Sequence, residues 1–124
     1  MTNAPPLLLS TRRDGVLRLT LNRPAQRNAL SSELIAALAA ALEGAATDGA
    51  TRVILVAAAG NVFCAGHDLK EMRALRAGPD GGAAAFAELF TRCSAMMQAI
   101  VTNPKPVIAM VQGVATAAAP PSGP

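Results

Sequence analysis

Two runs of consecutive apolar residues constrain the fold more than anything else in the sequence: residues 53–57 (VILVA) and 106–111 (PVIAMV). A strand with one face in water alternates apolar and polar residues, whereas a parallel strand covered by crossover helices reads as an unbroken run. Both runs therefore predict parallel strands buried on both faces, with helices between them. Those helices are legible. Ser31-Ser32-Glu33 is a helix start with a carboxylate in the first turn, after which Leu34, Ile35, Leu38 and Leu42 recur at helical spacing up to Gly44, read as the stop. A loop through Gly60 and Gly66 leads into a helix beginning near Asp68, and residues 78–82 (GPDGG) form a flexible break. Phe86, Leu89, Phe90, Cys93, Met97, Ile100 and Val101 then fall on one helical face, read as core, until Asn103-Pro104 ends it. Ahead of all this, residues 7–11 and 15–21 (GVLRLTL) are joined by Arg13-Asp14-Gly15, which is hairpin chemistry. The order β-β-α-β-α-β predicts an α/β fold.

Composition narrows the function. The chain has 124 residues, one domain's worth or part of one, and 52% of them are hydrophobic, which excludes wholesale disorder. There is no Trp or Tyr and only three Phe, so the core is built from Leu, Ile, Val, Met and Ala. Stacking platforms for single-stranded nucleic acid are excluded on the same ground. A net charge of +3 comes from scattered Arg and Lys rather than a stripe, which suits a phosphate-bearing small ligand and no nucleic acid. Two cysteines, Cys64 and Cys93, suit a reducing compartment. No segment has signal-peptide or membrane-span length, and the start lacks an Arg-rich amphipathic helix. A soluble cytoplasmic protein is expected, with the mitochondrial matrix as the alternative.

The chemistry concentrates in two windows. In residues 59–72 (AGNVFCAGHDLKEM) a buried strand runs through a glycine loop into a helix, at the strand end where α/β sheets place ligands. Gly66 permits a turn that aims the His67 amide into the crevice, close to a helix start that favours negative charge. Residues 107–118 (VIAMVQGVATAA) repeat the plan around Gly113. Two such loops can aim two backbone N–H groups at one oxygen, forming an oxyanion hole.

These windows, together with residues 22–31 (NRPAQRNALS), resemble the enoyl-CoA hydratase/isomerase, or crotonase, superfamily from about residue 8 to residue 118. The resemblance implies the N-terminal part of a crotonase-like fold of repeated ββα units over residues 1–118, with trimer-based homo-oligomers. Its ligand would be an acyl-CoA thioester, with coenzyme A as part of the substrate and no separate cofactor. Carried over by position, the oxyanion-hole amides are those of His67 and Ala118. Ala65, Gly66, Asp68, Leu69 and Lys70 would line the CoA and thioester path, and Gln26, Arg27 and Ala29 the loop that contacts CoA. A basic Arg27 suits a phosphate-bearing ligand on physical grounds also.

The end departs from the family. Residues 119–124 (APPSGP) form a Pro-rich tail outside the family pattern, and Pro121 stands where the first catalytic carboxylate belongs. No Asp, Glu, Lys, Arg or His follows Lys105, so the chain is expected to be incomplete and inactive alone. Two functions compete: a hydratase/isomerase of fatty acyl-CoA metabolism, and a non-catalytic acyl-CoA-binding or assembly fragment. A nucleotide-binding domain is disfavoured by the lack of a G-x-G-x-x-G or P-loop run. Individual residues carry plainer readings. His67 matters through its backbone rather than as a base. Cys64 and His67 lack further ligands for a metal site, so Cys64 is a small buried hydrophobe. Asp68 is a helix N-cap, and Lys70 and Glu71 a solvated helix face.

Overall fold

A computed structural model describes residues 6–111 and 114–115, the last two through their backbone only. The chain opens with a hairpin of strands β1 (Leu8–Arg13) and β2 (Val16–Leu21). Asp14 (φ 53°) and Gly15 (φ 83°) form its two-residue turn, both in the positive-φ region that a tight right-twisted hairpin demands. Helix α1 (Ser32–Thr47) crosses back to strand β3 (Val53–Ala58), which lies parallel to β2 with Leu17 opposite Ile54 and Leu19 opposite Val56. Helix α3 (Ala83–Thr102) leads to β5 (Val107–Ala109), parallel to β3, giving the sheet order β1-β2-β3-β5. This is the expected α/β arrangement.

One face of the sheet carries the core. Leu19, Leu21, Ile54, Val56 and Ala58 pack with Leu34, Ile35, Leu38 and Leu42 of α1 and with Leu89, Cys93 and Met96 of α3. The Asn103 side chain donates to the Leu42 carbonyl at 3.0 Å, tying the end of α3 to α1. Burying aliphatic side chains of this size contributes roughly 1.5–3 kcal/mol each, which is why the helices hold.

Several expectations change. The two apolar runs are not buried on both faces among the described residues: Val53 and Leu55 are half-buried, and Ile108 is 52% exposed. Side chains alternate along a strand, and α1 and α3 both lie on the face opposite these residues. The second apolar run is also a shorter strand than residues 106–111, because Pro106 has no N–H to give the ladder, although its carbonyl accepts from Ile54 at 2.9 Å. Gly44 is not a stop. The helix runs three residues on, and Asp48 ends it by accepting from the Ala50 amide and the Thr51 hydroxyl. On α3 the buried line is Leu89–Cys93–Met96, leaving Phe90 and Val101 exposed, because a one-residue step turns a side chain about 100° round the helix. Residues 78–82 break the chain between the two helices with a turn in which the Asp80 carboxylate accepts from the Gly82 and Ala84 amides. Finally, the loop after β3 contains a further strand, β4 (Val62–Cys64), paired in parallel with β6 (Val114–Ala115).

Candidate functional site

The site is built where the segment after β2 meets the segment after β4. Past β2, Pro24–Gln26 makes a single turn of tight helix, and Arg27 and Asn28 follow with φ 53° each. Left-handed backbone is tolerated best by Asn after Gly, and Asn28 uses it to bury its side chain completely. Its Oδ1 accepts from the Arg23 amide at 2.7 Å, and its Nδ2 donates to the carbonyls of Ala59 and Val62 at 2.8 Å each. One amide side chain thereby closes its own turn and holds both ends of the β3–β4 connection.

Beyond β4, the Ala65 amide donates to the Arg27 carbonyl at 3.1 Å. Gly66 then takes φ 91°, outside the usual range of any residue with a Cβ. This was the condition for turning the following amide. Leu30 and His67 form an isolated parallel bridge in which the Leu30 amide donates to the Gly66 carbonyl (2.7 Å) and the Asp68 amide to the Leu30 carbonyl (3.0 Å). In such a bridge the bonds on one side belong to the flanking residues, so the N–H of His67 itself faces the other way. Among the described residues nothing accepts from it.

Asp68 caps helix α2 (Leu69–Arg76), accepting from the amides of Lys70 and Glu71. It also pairs with the Arg23 guanidinium at 3.1 Å, the two side chains being 15% and 13% exposed. Desolvation raises the Asp68 carboxyl. The Glu71 amide, the Arg23 guanidinium and the Lys70 amide outweigh it, and the group sits below the ordinary carboxylate range. The sign follows. A carboxyl whose folded pKa is depressed contributes stability above its unfolded value, about 3.9, and loses it as pH falls through the folded value. Asp48, lowered by the Ala50 amide and the Thr51 hydroxyl, acts in the same direction. Thermal melts from pH 7 down to about 3 are expected to show an acid limb that Asp68→Asn makes shallower; an unchanged limb would contradict the assignment.

Gln26, Arg27, Ala29, Val62, Ala65, His67, Asp68 and Leu69 line a cleft of about 490 Å³, within the roughly 300–1,000 Å³ of small-molecule sites. Seven sequence-assigned residues therefore meet at one place. Gly66 lies buried behind it. Lys70 is exposed on α2, outside the lining. Ala118 and the Pro-rich tail lie outside the described residues. Arg27 is exposed on the cleft rim, with no hydrogen bond or ion pair from its guanidinium among the described residues. The His67 ring packs edge-on against Phe90 at 5.5 Å, and Phe90 stacks on Phe86 at 6.1 Å. Its Nδ1 is buried without a partner among the described residues. Among the described residues no carboxylate orients the ring in the manner of a Ser-His-Asp triad. Cys64 is buried, which pushes its thiol up, and its Sγ accepts from the Gly66 amide at 3.4 Å.

Glu71 is not on a solvated face. Its carboxylate accepts from the Ser32 amide at 3.0 Å and the Ser32 hydroxyl at 2.6 Å, neutralising the start of α1 across 39 residues of sequence. Sequence reasoning also passed over Arg23 and Asn28. The one available signal was Asn28 in a turn, where Asn rather than a larger residue tolerates positive φ.

The sequence model described as enoyl-CoA hydratase/isomerase matches residues 11–119 of the chain. The Xenopus laevis protein named "Enoyl-CoA hydratase domain-containing protein 3, mitochondrial" is 42% identical over 113 residues, covering 91% of this chain and 37% of that protein. Among solved structures, human enoyl coenzyme A hydratase domain-containing protein 3 superposes with a TM-score of 0.82 at 37% identity, covering 91% of this chain and 43% of that one. An enoyl-CoA hydratase of Mycobacterium smegmatis gives 0.78 at 49% identity, covering 86% and 40%. The chain thus spans about two fifths of the length of these relatives.

Proposed function

The chain belongs to the enoyl-CoA hydratase/isomerase family, and on that premise we propose that its cleft takes a fatty acyl-CoA thioester with the carbonyl oxygen at the His67 N–H. One observation carries the reading. Leu30 consumes the bonding groups on either side of His67, so a backbone donor is left pointing away from the bridge. A preorganised donor of that kind stabilises negative charge as it develops on a thioester oxygen, because no solvent has to reorient when the charge appears. The second donor is assigned to Ala118 by the family motif. Gln26, Arg27 and Ala29 form the wall that meets the CoA moiety, with the uncommitted Arg27 guanidinium available to a phosphate. Polarised this way, the thioester serves hydration of a 2-enoyl-CoA or a related isomerisation.

Proton transfer needs a positioned acid or base. The one carboxylate lining the cleft among the described residues, Asp68, is already held by Arg23 and the start of α2. That observation favours a second reading, in which this chain binds and polarises the thioester without turning it over. Steady-state assay with crotonyl-CoA separates the two, since measurable hydration by the pure chain would remove the second. The mitochondrial location in the Xenopus relative's name favours the matrix over the cytoplasm here, and cell fractionation tests it. A trimer-based assembly is proposed on the family resemblance, to be tested by sedimentation.

NMR titration of the labelled chain with a CoA thioester is expected to shift amides in residues 65–70 and 26–29. Shifts confined to other parts of the chain would refute the site.

A further inference from the structure

We propose that Arg23 is the positioning residue of the cleft, fixing the direction of the His67 N–H by gripping both segments that hold His67 in place. Its use in polarising a thioester rests on the reading above, whereas the positioning itself needs no ligand.

Gly66 creates the problem that Arg23 solves. Glycine reaches φ 91° at little cost, but the same freedom lets the peptide between Gly66 and His67 swing away. Something outside the turn must select one orientation. The Leu30 bridge does so directly, and it is a pair of single bonds between two irregular segments. Arg23 braces that bridge on both sides at once. One guanidinium nitrogen donates to the Ala29 carbonyl at 2.6 Å and the other to the Asp68 carboxylate at 3.1 Å. Ala29 precedes Leu30 and Asp68 follows His67, so a single rigid fork ties the residue just before the bridge on one segment to the residue just after it on the other.

The fork itself is well anchored. The Arg23 amide donates to Asn28 Oδ1, and the Arg23 carbonyl accepts from the amides of Gln26 (3.0 Å) and Asn28 (2.8 Å). With side chains 13% and 15% exposed, Arg23 and Asp68 are not the solvated surface pair that contributes next to nothing. The planar guanidinium reaches two acceptors in fixed directions, which an ammonium at the end of a flexible stem does not reproduce. Removing it leaves the Ala29 carbonyl unpaired and the Asp68 carboxylate without its counter-charge.

The test compares Arg23→Met and Arg23→Lys with the native chain, using Glu71→Gln to weaken the start of α1 without touching the clamp. In ligand-free chains, amide hydrogen exchange at Leu30 and Asp68 is expected to quicken by about tenfold or more in Arg23→Met, as losing a charge-assisted hydrogen bond implies, with an intermediate change in Arg23→Lys. Amides of β2 and β3 are expected to keep their rates. Unchanged exchange at Leu30 and Asp68 in both Arg23 variants would overturn the proposal, as would the same loss in Glu71→Gln. Should Arg23→Met fail to fold, Arg23→Lys alone decides by the same criterion. A second arm uses cinnamoyl-CoA, whose absorption moves to longer wavelength when its carbonyl is polarised. The native chain is expected to produce that shift and Arg23→Lys to diminish it at matched occupancy. No shift in the native chain counts against the thioester reading and leaves the exchange result to judge Arg23.

Discussion

A Gly66→Val chain is expected to lose the red shift of bound cinnamoyl-CoA altogether, while His67→Ala weakens it by a few-fold at most. Valine is β-branched, and a β-branched residue at φ 91° collides with its own backbone, so the peptide must leave its native orientation or bear about 1–3 kcal/mol of strain. If it leaves, the His67 N–H turns with it. Losing one oxyanion donor costs on the order of 10²–10³ in rate in enzymes that rely on such donors. The His67→Ala variant keeps the N–H and gives up the ring with its contact to Phe90. Absorption spectra of the two variants at matched occupancy decide it. A larger loss in His67→Ala than in Gly66→Val would transfer the role from the backbone to the imidazole.

Asn28→Ala is expected to be the most destabilising single change to the site segments, by roughly 3–5 kcal/mol, since it strands two part-buried carbonyls and one amide together. The side chain is completely buried, so its truncation also leaves a cavity. Alanine is also poorly suited to φ 53°. Asn28→Asp sharpens the test. It preserves the acceptor for the Arg23 amide but sets a carboxylate oxygen against the Ala59 and Val62 carbonyls. That variant is expected to be worse at pH 7 than at pH 4, where protonation relieves the repulsion. Urea melts at the two pH values measure both effects, and a loss under about 1 kcal/mol for Asn28→Ala would show that the turn holds without its hub.

Local signals made much of the fold legible. Asp14-Gly15 encodes a two-residue turn without help from the rest of the chain, and Ser31 and Asp68 cap the helices that follow them. The 53–57 run reads as a parallel strand because apolar continuity depends only on neighbours in sequence. What lay hidden depends on distant partners. Glu71 looks like any helix-surface carboxylate until Ser32 is brought to it, and Arg23 like any turn arginine until Asp68 arrives from 45 positions away. Strand β4, only three residues long, is too short for periodicity to register. The burial of the apolar runs was overread, because a continuous run is required by two-sided cover but does not reveal which cover the chain supplies. The cleft itself was legible through its motif residues, whereas the side chains that hold it were not.

The two hydrogen bonds that the Asn28 amide donates and the Arg23–Asp68 pair join residues 31, 34 and 45 positions apart. None of them can exist before α1 has folded back and delivered β3 alongside β2. Closing the cleft is therefore tied to the pairing that completes the sheet, because distant contacts must meet the entropy of closing the loop between them. A molecule that binds this cleft in the folded chain and not in the unfolded one raises the melting temperature of the entire chain, by an amount that grows with the logarithm of its concentration over its dissociation constant.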